Sequence, residues 1–231
     1  MQFAILIDND VLSTLLGTQL NDLANFINSL PPAASVGVFY AEHGSAYAAA
    51  PFGTERAKAA KSLRLTFGAG GESPSIYLSL ADLASHWPDQ KGMRREVLLI
   101  SSGNDPLYRG WEDPYLDSAL SAIEKANIQV HAIYLGSDRY GLSFPGNISQ
   151  GKLMRLTGDT GGQPFVDLPS PPVSLTPYLR DLDKVILNQY LLTLSMEPSR
   201  HKGGELRPIQ IHTEQRNIKL SAPKQVLVPE D

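Results

Sequence analysis

The chain has no cysteine in its 231 residues. Disulfides, thiolate metal sites and cysteine nucleophiles are therefore excluded. The compartment stays open, because many exported bacterial proteins also lack cysteine. No apolar run reaches the ~18 residues expected of a membrane-spanning helix, and no secretory signal pattern is present. Met1 stands almost directly on the first apolar run, as expected of an excised domain or of a mature region whose export signal has been removed. No Lys/Arg cluster is dense enough to track a phosphate backbone. A net charge of −4 and a pI of about 5.7 also point away from nucleic acid as partner. The sequence has no Gly-x-Ser-x-Gly elbow, no phosphate-loop Gly-Lys-Ser/Thr and no His-Glu-x-x-His, and its five histidines are scattered. Gly68-Ala69-Gly70-Gly71 falls short of the dinucleotide fingerprint. What is present is ordinary globular material, 42% hydrophobic and 19% charged, enough for one large α/β domain with a full core.

The most informative segment is Phe3-Ala4-Ile5-Leu6-Ile7 running straight into Asp8-Asn9-Asp10. A short apolar run without polar alternation reads as a strand buried on both faces of a parallel sheet. The acids then fall at its carboxyl end, where open α/β sheets place their ligands. Two carboxylates there can hold a hard cation such as Mg²⁺. They can also act as a phosphate-attacking nucleophile and its acid/base partner. The plain alternative is that Asp8 ends the strand and Asp10 caps the next helix.

Strand and helix signals alternate from there to about residue 188. The spacing of Val11, Leu15, Leu16, Leu20, Leu23, Phe26, Ile27 and Leu30 predicts one amphipathic helix, stopped by Pro31-Pro32. Strands are expected at 35–40, at 46–50 as a short edge, at 96–101, at 128–135 and at 164–166. Thr54 is expected to cap a helix over 55–63. Ser73-Pro74, Asp113-Pro114 and Thr176-Pro177 each pair a capping side chain with proline at the first helical position. A helix over 149–156 is expected to stop at Thr157-Gly158. His131 falls in a buried-strand pattern and reads as a packed, hydrogen-bonded histidine. From 189 to 231 the composition turns to β-formers, with strands expected at 190–196, 206–213 and 217–220 and a turn at His201 to Gly204. The expected organisation is an α/β domain over 1–188 and a C-terminal β-extension over 189–231 packed on it.

These residues carry a resemblance. The chain resembles a von Willebrand factor type A (VWA) domain, in particular the bacterial branch found in exported proteins, over nearly its whole length. The opening resembles that family's first strand and acid loop. Val36-Gly37-Val38-Phe39 with Pro51-Phe52 resembles its second strand and the segment after it. Arg95 to Ile100 with Ser101-Ser102-Gly103 resembles the central strand that usually ends Ser-Asp-Gly, and Ile128 to Ile133 the next strand. Leu153, Leu156 and Thr157-Gly158-Asp159-Thr160-Gly161-Gly162-Gln163-Pro164-Phe165 form the most specific match. Tyr190 and the β-tail resemble the extension of the bacterial branch. The fold implied is a doubly wound, mostly parallel, Rossmann-like sheet.

The resemblance also implies a divalent-cation site, built on an Asp-x-Ser-x-Ser loop, a threonine and a second aspartate. Asp8 matches the first aspartate. Asp10 stands at the first serine and Leu12 at the second; Ser73 or Ser75 lies near the threonine, and Ser102 replaces the second aspartate. The pattern is degraded, leaving at most weak Mg²⁺ or Ca²⁺ binding. The expected metal set is Asp8, Asp10, Ser73 and Ser102. The expected partner-binding face adds Asn9, Ser13, Ser75, Asn104, Asp105 and Trp111. The function implied is non-catalytic, adhesion-type protein binding at the carboxyl ends of the strands, outside the cytoplasm or at a cell surface.

A second resemblance competes, to haloacid-dehalogenase-type phosphatases. There Asp8 attacks phosphorus, Asp10 protonates the leaving group, Ser101 or Ser102 holds the phosphoryl group, Gly158-Asp159 mimics the late acidic motif, and Lys125 or Lys152 balances charge. That late motif should follow a buried strand, whereas 152–156 has helical spacing. A third reading is a structural domain with a vestigial site.

Overall fold

The computed structural model describes residues 1–11, 13–66, 75–89, 92–136, 144–166, 172–218 and 220–230. Its centre is a six-stranded sheet in the order β3-β2-β1-β4-β5-β6. The strands are β1 (Gln2–Asp8), β2 (Ser35–Glu42), β3 (Ser45–Gly53), β4 (Arg95–Ser101), β5 (Ile128–Tyr134) and β6 (Pro164–Phe165). Every pairing is parallel except β2 with β3. All seven residues of β1 are buried, because β2 and β4 flank it and helices cover both faces. Phe3, Ile5 and Ile7 project into one core with Leu23, Phe26, Ile27, Leu179 and Leu182. Ala4 and Leu6 project into the other with Tyr77, Leu80, Leu116, Ile123 and Leu153. Each large apolar side chain so buried contributes roughly 1.5–3 kcal/mol, so the unbroken apolar run of β1 serves two cores at once. The chain leaves β1 toward β2 and later crosses to β4 on the other side. The carboxyl ends of β1 and β4 therefore flank the topological switch point, where such sheets bind ligands.

The helices are α1 (Ser13–Gly17), α2 (Leu20–Ser29), α3 (Arg56–Lys61), α4 (Ile76–Ser85), α5 (Pro114–Lys125), α6 (Phe144–Thr160) and α7 (Thr176–Leu187). The single helix expected after β1 is thus two. It breaks at Thr18 and Gln19, where the Thr18 hydroxyl donates to the Leu15 carbonyl and the Gln19 N–H to that of Leu16. Asp113 caps α5 as expected, accepting from Tyr115 N–H (3.0 Å) and Leu116 N–H (3.1 Å). Two other caps differ. Thr54 precedes a helix whose cap residue, Glu55, makes no side-chain bond. The start of α7 is satisfied from another helix: the Asp22 carboxylate accepts from Leu175 N–H and Thr176 N–H. Ser73 lies outside the described residues, and Ser75 caps α4 through Tyr77 N–H. His131 is packed as expected, with Nε2 3.1 Å from Glu96 Oε2 and Nδ1 accepting from Gln163 N–H.

Two corrections concern the chain's later part. First, α6 continues through Gly158 to Thr160, and Gly161, at φ +76°, makes the left-handed stop. Several glycines crowd this stretch, and the string alone does not say which one leaves the helix. Second, 189–231 forms one small antiparallel sheet, β7 (Glu205–Pro208) with β8 (Gln225–Val228). Residues 190–196 and the described residues 217, 218 and 220, expected as strands, join neither sheet, and Tyr190 and Leu191 stand 93% and 96% exposed. β-Propensity reports fit to a pleated, half-buried surface, and these segments meet no such surface. The tail touches the α/β body where Ser221 Oγ–H donates to the Gly161 carbonyl (2.8 Å) and Lys224 Nζ meets Asp159 (2.6 Å).

The helix boundary gives a paired test. A Cβ on Gly158 meets nothing within 4 Å, whereas one on Gly162 falls 1.8 Å from the Val130 carbonyl oxygen. Gly158→Ala should stabilise the fold by about 0.5–1 kcal/mol, the helix-interior gain of alanine over glycine. Gly162→Ala should destabilise it by 1–3 kcal/mol or more, roughly the cost of overpacking. Urea unfolding midpoints decide it. A destabilising Gly158→Ala would show that the helix stops at Gly158 after all.

Candidate functional site

β1 carries Asp8 into the crevice between its own end and that of β4. The carboxylate is buried and held from both sides. Oδ2 accepts from the Ser101 hydroxyl at 2.6 Å, and Oδ1 from Asp10 N–H at 3.0 Å. Ser101 Oγ in turn accepts from Gly103 N–H at 2.8 Å. Gly103 has φ +62°, and a Cβ there would lie 2.8 Å from the Ser149 carbonyl oxygen of α6, so only glycine allows this close approach. Burial pushes the Asp8 carboxyl up to about 6, against the opposing pull of the Ser101 and backbone hydrogen bonds, with a further upward push from Asp10.

The loop after β4 is pinned beside this crevice. Asp105 is buried; its Oδ1 accepts from Leu107 N–H (2.8 Å) and Tyr108 N–H (3.1 Å). Asp113 turns its second oxygen to the buried Lys152 ammonium of α6 at 2.7 Å, and Lys152 also donates to the Tyr108 carbonyl. Trp111 remains 60% exposed, but its ring lies over Gly151, where a Cβ would come within 2.4 Å of it. It is a loop anchor with one side open. Tyr77, in the first turn of α4, is fully buried. Burial and the carboxylates of Asp113, Asp105 and Asp8 hold its phenol well above the ordinary range. The crevice thus gathers Asp8, Asn9, Ser101, Asp105 and Tyr77 in one acidic field. A recess of about 300 Å³ lined by Phe39, Phe52, Asp82 and His86 lies toward the β3 edge and contains none of them.

No protein-family model matches the sequence, and no curated protein is significantly similar to it. Solved structures are similar in fold. An aerotolerance-related membrane protein from Bacteroides fragilis, carrying multiple mutations to serine, superposes with TM-score 0.59 at 14% identity, over 82% of this chain and 100% of that one. The SpRpn10 VWA domain superposes with TM-score 0.51 at 16% identity, over 83% and 98%. The fold is that of a VWA domain. The pilus adhesin SpaC from Lactobacillus rhamnosus GG matches with TM-score 0.55 at 13% identity, over 81% of this chain but only 30% of the adhesin.

In VWA terms, the bond that joins β1 to β4 uses Ser101, one position before the serine aligned with the family's second aspartate. Ser102 is half-buried, Asn104 exposed, and Asp10 and Ser13 half-buried. Leu12 and Ser73 lie outside the described residues. Asp8 turns both oxygens to internal donors, and the Ser75 hydroxyl accepts from Tyr77 N–H. Among the described residues no three Asp, Glu or His side chains are placed to hold one metal ion. Among the described residues this donor set falls short of the six or more oxygens that a hard divalent ion takes. The phosphatase constellation is not assembled either. Lys152 is committed to Asp113, Lys125 ends α5, and Asp159, near the end of α6, pairs with Arg155 and Lys224. Sequence reasoning missed Tyr77 and the Lys152–Asp113 pair. The Asp113-Pro114 cap was visible, but its partner stands 39 positions away.

The Asp8 carboxyl, at about 6 in the folded chain, lies above its ordinary 3.8, so the native state holds this proton more tightly than the unfolded chain. Stability due to Asp8 is therefore greatest below about pH 4, falls as pH rises to about 6, and is level above that. Two units correspond to roughly 3 kcal/mol. Urea unfolding of wild type and Asp8→Asn should show their stability difference moving against wild type by about 2–3 kcal/mol between pH 4 and pH 7. A pH-independent difference would mean that the carboxyl is not desolvated.

Proposed function

We propose that the chain is a non-catalytic protein-binding VWA domain of adhesion type, acting outside the cytoplasm or at a cell surface. In this reading its metal site is degraded and its partner is recognised at the carboxyl ends of the strands without an obligatory ion. The observation that carries the proposal is the pinned loop over 102–113. A buried ion pair and the Gly103 and Gly151 approaches fix its backbone, while Trp111 and Asn104 are left exposed on it. Rigidly held aromatic side chains on such loops favour interfaces. The likeness in fold to a pilus adhesin and to an aerotolerance-related membrane protein supports a surface setting. Among the described residues no helix is long and apolar enough to cross a membrane. The third reading, a structural domain, leaves the fixed but exposed loop without a purpose. The phosphatase reading would need an accessible nucleophile where Asp8 is buried.

A photocrosslinking amino acid at Trp111 or Asn104 tests this against a control at Tyr47 on the sheet edge. With surface extract of the producing cell, we expect discrete protein adducts from the loop positions, unchanged in EDTA. Equal labelling from all three positions would refute the binding face. An ion at a hundred times its Kd would add ~2.7 kcal/mol to stability, so Mg²⁺ or Ca²⁺ should leave the thermal midpoint where EDTA puts it. Hydrolysis of p-nitrophenyl phosphate that Asp8→Asn abolishes would establish the phosphatase instead.

A further inference from the structure

We infer that the strand-end face receives a cationic side chain, lysine or arginine, from the protein partner, directly and without a bridging metal. The inference rests on the protein-binding reading above and assigns the chemistry of that partner.

Buried polar atoms without hydrogen bonds are few in folded proteins, and each is costly to leave unmatched. Among the described residues four side-chain atoms qualify: Asn9 Oδ1, Tyr77 OH, Asp105 Oδ2 and Glu96 Oε1. Glu96 Oε1 is off-line for a hydrogen bond but faces Arg94 Nε at 2.8 Å, an ion pair that accounts for it. The remaining three all belong to the strand-end face. Asn9 follows β1, Asp105 lies in the loop after β4, and Tyr77 opens α4. Each is more than nine-tenths buried. The carboxylates of Asp113, Asp105 and Asp8 all act electrostatically on the Tyr77 hydroxyl.

The chemistry of these atoms selects the ligand. Asp105 Oδ2 only accepts, Asn9 Oδ1 accepts, and a phenol oxygen has a lone pair to offer. The Asp105 and Asn9 oxygens want a donor, and the Tyr77 hydroxyl can meet one with its lone pair. The charge count selects further. Among the described residues, Asp8, Asp105, Glu112 and Asp113 lie on the crevice and its loop, against Arg109 and Lys152, and Lys152 is already bound to Asp113 and Tyr108. A carboxylate would meet repulsion here, and a neutral amide would supply donors but leave the charge. An ammonium brings three donors and a guanidinium five, each with a positive charge. Trp111 presents an open aromatic face on the same loop, and a cation over such a face gains further attraction.

The test uses the whole chain, ¹⁵N-labelled, in EDTA. The probes are Ac-Gly-Lys-Gly-NH₂, Ac-Gly-Arg-Gly-NH₂, the norleucine analogue, and Ac-Gly-Glu-Gly-NH₂ with and without Mg²⁺. We expect the lysine and arginine probes to shift the amides of Asn9, Tyr77, Gly103 and Leu107, and the norleucine probe to leave them in place. Asp105→Asn keeps an acceptor for the loop turn and removes the charge; it should weaken the cationic probes about tenfold. Tyr77→Phe removes an unpartnered hydroxyl, so it should fold at least as stably and still weaken them. Binding of the glutamate probe with Mg²⁺ at the same amides would overturn the charge assignment and leave the protein-binding reading intact. If no probe moves these amides, the inference falls and the three atoms are hydrated only. Loop crosslinks with an unshifted spectrum would count against this inference alone.

Discussion

The hydrogen bond from Ser101 to Asp8, 2.6 Å long, holds together the ends of the two most buried strands. A doubly wound sheet opens a crevice where its winding reverses, and here that crevice lies between β1 and β4. Apolar residues cannot close it, because the strand ends leave backbone N–H groups that need acceptors. A carboxylate at the end of β1 satisfies Asp10 N–H with one oxygen and bridges to β4 with the other. The same serine oxygen then accepts from Gly103 N–H and turns the chain left-handed toward α6. The acid is costly to bury, and the raised value of its carboxyl measures that cost. It persists because its removal would leave donors unmatched on both strands.

The segment after β4 is fixed by a second buried polar device. Asp113 caps α5 with one oxygen and holds Lys152 with the other, while Lys152 reaches the Tyr108 carbonyl. Isolated buried ion pairs add little net stability, because desolvation offsets the attraction. Their gain is geometric: one ammonium joins a helix start, a loop carbonyl and a neighbouring helix. The loop carrying Asp105 and Trp111 is therefore positioned by α6, with Gly151 shaped to receive the indole ring.

The sequence made legible whatever is encoded locally. The unbroken apolar runs of β1 and β4 gave two central strands of a parallel sheet, because burial on both faces leaves little room for polar alternation. Asp113-Pro114 gave a helix start, because cap and proline act within one turn. Asp8 at the carboxyl end of β1 was visible as well, because the apolar run before it marks the strand. The features that stayed hidden depend on partners far along the chain. Asp22 caps a helix more than 150 positions away, and Lys152 finds Asp113 across 39. The crowded glycines after Thr157 all permit a helix stop; the close pass of 222–223 and of Val130 decides which ones are required. In the tail, β-forming composition at 190–196 specified an extended chain but supplied no neighbour to pair with.

The charge of the face has its origin in the same substitutions. The resemblance implies that in an intact loop the first aspartate would help hold a divalent ion, whose charge would make the site electropositive and suit an acidic partner. Here an acid replaces the first loop serine, a leucine the second, and a serine the second aspartate. Neutral ligands are lost, a negative charge is gained at position 10, and Asp8 turns inward to Ser101. An ion's charge is often the largest in its site and sets the sign of everything near it. Without that charge, the carboxylates of Asp8, Asp105 and Asp113 all act on Tyr77. In the proposed reading the fold keeps the location of recognition and reverses its sign, and unpartnered oxygens remain where a positive donor would complete it.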